Sequence, residues 1–293
     1  MTENLIHVLT LVAPSFLIIA AGSFYSIVSK SDPDYLIQVT MKALVPAFAF
    51  HQILQMQIQI DVLSTVFLCA WCIMLGCGLL AFVIFRGLSL PIKGLYLPIM
   101  FMNTVNLPFP ILLSAYGEKA IFFALSFYLA SILGVFTIGV LIVSSENGSY
   151  PVFKEPVIYV IGAAFYLKYS DTHVPSVLTH TLDILQGATI PIILLALGMQ
   201  LTQTRLTQIK ESLIAAACRM VGGFLIGNLC VWAFHLEGLA RKVVLFNSIM
   251  PGAVLTYMVA QRFNTDSDRV ASMILISTLL SILLIPLILL YLD

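Results

Sequence analysis

The sequence predicts an all-α integral membrane protein with ten transmembrane helices. Hydrophobic residues make up 60% of its 293 residues and charged residues only 10%, with a mean hydropathy of +1.03. A soluble domain of this length has too little interior to bury so much apolar surface. Apolar runs near the ~20 residues that cross ~30 Å of hydrocarbon recur along the chain. We expect spans at residues 5–28, 35–56, 62–85, 95–116, 119–143, 156–168, 176–202, 211–234, 239–261 and 268–291.

The charge and the cysteines of the chain argue against several other classes of protein. Lys plus Arg number 14 and Asp plus Glu number 14, so the net charge is zero and no nucleic-acid partner is indicated. The five cysteines lie in apolar stretches, and the CxxC pair Cys69 and Cys72 has no second Cys or His pair to complete a metal site. We therefore expect no disulfide framework, no bound metal and no cofactor.

Enzymatic chemistry is not indicated by any compact motif. The sequence contains no HExxH, no nucleophilic-serine motif and no paired aspartate elements, and its five histidines lack metal-ligand spacing. We therefore expect the protein not to be an enzyme. An intramembrane enzyme and a channel are retained only as weaker alternatives.

Lys and Arg are distributed unevenly between the two sets of short loops that connect the predicted spans. Cytoplasmic loops usually carry the excess of these residues. We therefore expect a multi-pass protein of the cell membrane, with both termini outside the cytoplasm and the loop at 144–156 inside. The richer side carries Lys30, Arg86, Lys93, Lys154, Arg205, Lys210, Arg262 and Arg269, and the poorer side carries Lys119, Lys168, Arg241 and Lys242.

The two halves of the chain share a pattern that indicates an internal duplication. The second span of each half contains an apolar proline, Pro46 and Pro191, and the fourth contains a polar, proline-bearing break, "NTVNLPFP" and "NSIMPGAVLT". Because five is an odd number, two halves of five spans must have opposite orientations in the membrane. The sequence therefore predicts an inverted repeat, with residues 1–145 as the first half and 146–293 as the second.

The polar breaks in spans 4 and 9 are the predicted binding site. In transporters of this build, broken spans cross near the middle of the bilayer, and their free backbone groups face a water-filled cavity. Amides, hydroxyls and helix N-termini favour a small anion there. The alternative is that the prolines only kink packed helices. The candidate residues are Asn103, Thr104, Asn106, Pro108 and Pro110 in the first break and Asn247, Pro251 and Thr256 in the second.

Ionisable residues within spans are further candidates, because each is costly in hydrocarbon. Arg219 is too deep to reach the surface easily, and either helps to hold the anion or bonds backbone carbonyls at a broken helix. His51 is either a neutral histidine bonded to another helix or a cavity-lining, proton-sensing group. Asp183 favours an interfacial or capping role, and Lys42 is near enough to the cytoplasmic end to extend its amine to the surface.

Several of these segments resemble the auxin efflux carrier superfamily, which includes plant auxin exporters and bacterial malonate or malate permease-like proteins. "NTVNLPFPILLSAYG" is similar to the fourth span of the family, through Asn103, Thr104, Pro110, Tyr116 and Gly117. The resemblance covers nearly the whole chain in order and spacing. It includes "VPAFAFH" in the second span, "LALGMQL" in the seventh, an Arg in the eighth and "MPGAVLTYMVAQRFN" in the ninth.

The resemblance implies a fold similar to that of bile-acid carriers and sodium–proton antiporters. Helices 1, 2, 6 and 7 would form a scaffold domain that dimerises, and helices 3–5 and 8–10 a transport domain that moves as an elevator. Asn103 matches the Asn that contacts the substrate carboxylate in the plant carriers. The implied function is a secondary transporter of a small organic carboxylate, and the implied partners are that anion, the lipid bilayer and a second copy of the chain.

The chain departs from the plant carriers in ways that argue against auxin. Pro108 and Val105 stand where glycines are usual, Thr256 replaces a second proline, and Asp61 is followed four residues later by Thr65 instead of Lys. A small carboxylate is therefore the favoured cargo. A bile-acid-carrier-like, sodium-coupled symporter of a larger organic anion is the main alternative. The sequence does not predict whether Na⁺, H⁺ or no ion is coupled.

Overall fold

The structure is a computed structural model. It describes residues 2–55, 60–90, 93–144, 156–170, 174–203 and 206–292, and most of these residues are in α-helices. The predicted inner loop at 144–156 lies almost wholly outside these ranges. The described helices of the first half are α1 (Thr2–Ser29), α2 (Asp34–Val39), α3 (Val45–Gln55), α4 (Ile60–Gly87), α5 (Tyr96–Met100), α6 (Pro108–Tyr116), α7 (Glu118–Gly134) and α8 (Val140–Val143). Those of the second half are α9 (Pro156–Tyr169), α10 (Ser176–Gln203), α11 (Ile209–Ala233), α12 (Gly238–Ser248), α13 (Val254–Arg262) and α14 (Ser267–Leu292).

The helices coincide with the apolar stretches found in the sequence. Six of the ten stretches are single helices, and the other four are pairs: α2 with α3, α5 with α6, α7 with α8, and α12 with α13. The π-wound segments Thr40–Leu44 and Val135–Gly139 join the first and third of these pairs without a break. The described residues contain no regular strand. The all-helical class predicted from composition is thus confirmed.

Five of the described helical stretches are long and apolar enough to cross a membrane by themselves. They are Asp61–Gly87, Glu118–Val143, Ser176–Gln203, Ile209–Ala233 and Ser267–Leu292. Ala13–Ser29 of α1 is a shorter apolar helix by the same measure, and α9 has only 14 residues. The architecture is that of a multi-pass membrane protein.

Helices α1 and α10 pack in close contact through small residues. A Cβ atom added to Gly198 would lie 1.9 Å from the Ile19 carbonyl oxygen, and one added to Gly22 would lie 2.2 Å from the Leu195 carbonyl oxygen. Ser23 Oγ uses this proximity to donate a hydrogen bond to the Gly198 carbonyl at 2.9 Å. Lipid is as apolar as leucine, so helix association in a membrane depends on such close packing and on hydrogen bonds between helices.

A hydrogen bond joins the loop before α5 to the loop before α14, which is distant from it in sequence. The Gly94 N–H donates to Asp266 Oδ2 at 3.1 Å, and Asp266 Oδ1 is 3.0 Å from Arg269 Nη1. The loop before α5 is thereby attached to the loop before α14. Helix α13 packs against α5, and α12 packs against α6, so the two broken helix pairs contact each other.

We predict that Gly198→Ala destabilises the protein by about 1–3 kcal/mol, the usual cost of overpacking, because the new methyl group must separate α1 from α10. Thermal unfolding in detergent measures the loss. Gly187→Ala is the matched control, since Gly187 is on the same helix and an added Cβ there meets nothing within 4 Å. Equal melting temperatures for the two variants would contradict the close packing.

Candidate binding site between two broken helices

The first break separates α5 from α6. Helix α5 ends at Met100, the chain is extended from Phe101, and α6 begins at Pro108. Proline fits the first turn of a helix, where the backbone N–H has no intrahelical acceptor. Asn103 shapes the turn between the two helices, because its side-chain Oδ1 accepts the N–H groups of Val105 at 3.3 Å and Asn106 at 2.9 Å.

The second break separates α12 from α13. Helix α12 ends at Ser248, and α13 begins at Val254 after an extended segment. Asn247 Nδ2 donates to the Val243 carbonyl at 2.9 Å, within α12. The Asn247 Oδ1 atom is buried and has no hydrogen-bond partner among the described residues.

The two extended segments pair with each other. The Asn103 N–H donates to the Pro251 carbonyl at 2.7 Å, and the Ala253 N–H donates to the Phe101 carbonyl at 2.9 Å. Met102 and Gly252 thus form an isolated antiparallel bridge. In hydrocarbon, each unpaired backbone group costs several kcal/mol, and these reciprocal bonds satisfy four of the groups that the breaks expose.

Arg219 on α11 satisfies the carbonyls at the C-terminal ends of both interrupted helices. Its Nη1 donates to Ile99 and Met100 at 3.0 and 3.2 Å, and its Nη2 donates to Ser248 at 2.8 Å. The side chain is fully buried, and none of the described carboxylates forms a salt bridge with it. Helix C-termini carry partial negative charge, so the ends of α5 and α12 act together as the counter-charge of this cation.

A glycine on α11 makes room for this arrangement. Gly223 follows Arg219 by one helical turn, and a Cβ atom added there would lie 2.1 Å from the Ser248 carbonyl oxygen and 2.2 Å from Arg219 Nη2. The missing side chain lets the end of α12 approach α11 closely enough for the guanidinium to reach it. Of the two interpretations of Arg219, the geometry favours bonding to backbone carbonyls.

A small cavity lies against both breaks. Its volume is about 60 Å³, which is room for a few water molecules. It is lined by the first break, the start of α13, and parts of α2, α7 and α10. None of the described residues that line it has a charged side chain. Its polar lining residues are Thr40, Asn103, Thr104, Asn106, Tyr128, Ser131 and Gln200.

Asn103 and the start of α13 both line this cavity. Since Oδ1 of Asn103 is occupied by two backbone N–H groups, its Nδ2 is the group left to bind a ligand, and no described residue accepts a hydrogen bond from it. Val254 and Leu255, the first residues of α13, also line the cavity. The N–H groups of a first helical turn and the positive end of the helix dipole favour negative charge.

Comparison with known proteins places the chain among membrane transporters. Residues 151–289 match a family described as membrane transport protein. An uncharacterized transporter of Methanocaldococcus jannaschii is 26% identical over 238 residues, which is 76% of this chain and 75% of the relative. An uncharacterized transporter of Methanothermobacter thermautotrophicus is 24% identical over 299 residues, which is 98% of this chain and 96% of the relative. These matches support the resemblance of the chain to the auxin efflux carrier superfamily.

The residues of the two breaks that were predicted for the site fall into two groups. Asn103, Thr104 and Asn106 line the cavity. The other residues of the breaks do not line it, although all of them are buried and shape the chain around it. This second group is Pro108, Pro110, Asn247, Pro251 and Thr256.

His51 also lies away from the cavity. Its Nε2 is 2.6 Å from Asp183 Oδ1, so the pair joins α3 to α10, and His180 Nδ1 lies 3.8 Å from the other oxygen of the same carboxylate. Asp183 is thus the partner of His51. Of the two interpretations of His51, the geometry favours a histidine that contacts another helix, here through the Asp183 carboxylate.

Four polar residues on the cavity wall were not among the predicted site residues: Thr40, Tyr128, Ser131 and Gln200. Their helices are apolar on every side, because one side faces lipid and the other faces packed helices. Helical periodicity therefore does not indicate which side of α7 or α10 faces the cavity. The polar residues inside otherwise apolar spans were the only available signal.

We predict that Arg219→Met destabilises the protein by at least about 3 kcal/mol, because three buried carbonyls lose their donor and each unsatisfied group costs about 1–3 kcal/mol. Arg219→Lys should restore part of the loss, since an ammonium group is a cationic donor without the planar fork. Thermal unfolding in detergent measures both variants. Arg241→Met, at a partly exposed position on α12, is the control and should change stability by no more than about 0.5 kcal/mol. If Arg219→Met were as stable as wild type, Arg219 would not support the breaks.

Proposed function

We propose that the protein is a secondary transporter that moves a small organic carboxylate across the cell membrane by alternating access. The observation that carries this proposal is the cavity at the two paired breaks, which offers uncharged donors and a helix N-terminus but no fixed cation among its described lining residues. Such a site can hold an anion and also release it, as transport requires. The match to a family of membrane transport proteins supports the same conclusion.

The proposed architecture is an inverted repeat of five spans in each half, with broken helices that cross at the site. The positions of the breaks support it, since each interrupts the fourth apolar stretch of its half. The antiparallel bridge between Met102 and Gly252 supports it as well, because related segments of opposite orientation meet there. Both termini would then lie outside the cytoplasm.

The proposed moving parts are a transport domain and a scaffold domain. The transport domain would contain α4 to α8 and α11 to α14, and Arg219 would hold its broken helices together as one body. The scaffold would contain α1, α2, α3, α9 and α10, and the tight contact of α1 with α10 supports a rigid unit there. We further propose that the scaffold forms a homodimer and that the transport domain moves against it as an elevator.

The size of the cavity favours a small carboxylate over a larger organic anion. A volume of about 60 Å³ leaves no room for a bulky ring system in this conformation. The first experiment is a thermal-shift screen of acetate, lactate, succinate and benzoate, with chloride and acetamide as controls. A ligand that binds only the folded protein raises its melting temperature. Saturable uptake of the same carboxylate into proteoliposomes would distinguish a carrier from a channel.

The sharpest test of the site is Asn103→Asp. The aspartate keeps an oxygen at the position that accepts the Val105 and Asn106 N–H groups, but it replaces the Nδ2 donor with a negatively charged oxygen. Hydrogen bonds to charged groups contribute about 1.5–3 kcal/mol, so we predict that carboxylate binding weakens by at least about ten- to a hundred-fold. The melting temperature without ligand is measured beside the affinity, because a carboxylate at this buried position is expected to cost some stability.

Two further variants separate binding from the shape of the turn. Asn103→Ala removes both the donor and the turn acceptor, so it should lose carboxylate affinity and some stability. Asn106→Ala should cost less affinity, because no side-chain hydrogen bond of Asn106 shapes the break. Titration of the best carboxylate from the screen gives the dissociation constants. Wild-type affinity in Asn103→Asp would refute the assignment of Asn103 to the carboxylate.

A further inference from the structure

A wider vestibule lies directly beside the cavity. Its volume is about 490 Å³, and it shares four lining residues with the cavity: Ile37, Gln200, Leu255 and Met258. Asp34, Gln38 and Gln261 also line it, at the ends of helices that the charge distribution assigns to the cytoplasmic side. The vestibule is therefore one of the spaces through which a solute can exchange between the cavity and that side.

Lys42 gives this vestibule its positive charge. Among the described residues that line the cavity or the vestibule, it is the only lysine or arginine. Its side chain is exposed, and no described carboxylate forms an ion pair with it. Lys42 belongs to the π-wound segment Thr40–Leu44, and such segments are frequent at functional sites. Its charge is thus free to act on a solute.

Most of the acidic side chains nearby line a third space, which adjoins the vestibule at Asp34, Gln200, Tyr257 and Gln261 and adjoins the cavity at Leu197, Gln200 and Val254. Its acidic residues are Asp32, Asp34 and Asp268, of which only Asp34 also lines the vestibule, so this third space disfavours anions. Burial and the neighbouring Asp32 carboxylate raise the pKa of Asp34 above its ordinary value. Lys42 and Asp34 are therefore the two opposing charges that decide how the vestibule acts on an anion.

We propose that Lys42 attracts anions into the vestibule and thereby makes it the approach through which a carboxylate reaches the cavity. The identity of the cargo rests on the proposed function, but the attraction itself does not. A single unpaired cation in a pocket with low-dielectric walls raises the local concentration of anions. Because Lys42 lies outside the lining of the cavity, its contribution is to the approach and not to direct contact at Asn103.

The test uses the variant Gln38→Cys, which places a reporter thiol in the vestibule four residues before Lys42. The thiolate introduced at this position of the purified protein attacks either 2-sulfonatoethyl methanethiosulfonate, an anion, or 2-(trimethylammonio)ethyl methanethiosulfonate, a cation. A mixed disulfide forms and methanesulfinate leaves. The ratio of the two rates reports the local potential and cancels any change in the reactivity of the thiol.

We expect Lys42→Gln to lower the ratio of anionic to cationic modification about fivefold, the effect of one unit charge several ångströms away in a water-like dielectric. Lys42→Arg should keep the ratio, Asp34→Asn should raise it, and added salt should shrink every difference. Protein that retains Gln38 gives the background from the five native cysteines.

Lys210→Gln is the matched control, because it removes one positive charge from an exposed position that lines neither the cavity nor the vestibule. An unchanged ratio in Lys42→Gln, or an equal fall in Lys210→Gln, would overturn the proposal. The outcome is independent of Asn103. If the ratio responds while Asn103→Asp binds carboxylates normally, the site assignment fails and the role of Lys42 stands. If the ratio does not respond to Lys42→Gln but Asn103→Asp loses carboxylate affinity, the role proposed for Lys42 fails and the proposed function stands.

Discussion

The structure depends on satisfying backbone polar groups where two helices end inside an apolar protein. Each interruption exposes carbonyls at one helix end and N–H groups at the next helix start, and no water is available in a hydrocarbon interior to bond them. Arg219 binds the carbonyls at the ends of α5 and α12. The extended segments bond each other, and Asn103 binds the N–H groups of the turn before α6. Without these three devices the breaks would be unfavourable.

These devices leave the two kinds of helix end in different surroundings. The carbonyl ends, which are partly negative, are neutralised by a buried cation whose two terminal nitrogens both donate to backbone carbonyls. The start of α13, which is partly positive, lines the cavity with no carboxylate among the described residues there. The same interruption that requires Arg219 therefore produces a weakly positive cavity. Its selectivity for anions, in the proposed carrier, comes from backbone and amide dipoles.

The sequence predicted the breaks more accurately than it predicted the contacts around them. Asparagine and proline in apolar stretches identified both interruptions, because those residues have a direct effect on backbone geometry. The partners of Arg219 could not be found in this way, since they are carbonyl groups of Ile99, Met100 and Ser248, and every residue has a carbonyl. The pairing of His51 with Asp183 joins helices distant in sequence, and its prediction would have required knowing which helix faces meet.

Arg219 and Lys42 illustrate how the burial of a charged side chain determines its role. Arg219 is a fully buried guanidinium, so it needs permanent hydrogen-bond acceptors. Its positive charge is therefore not available to bind and release a solute. Lys42, exposed at the vestibule, needs no permanent acceptor and acts over a distance that salt can screen. A carrier must release what it binds, and a deep site with a free cation would hold a carboxylate too tightly for rapid release. In our proposal the attracting charge of Lys42 is separate from the uncharged binding site, so the site can release the carboxylate rapidly.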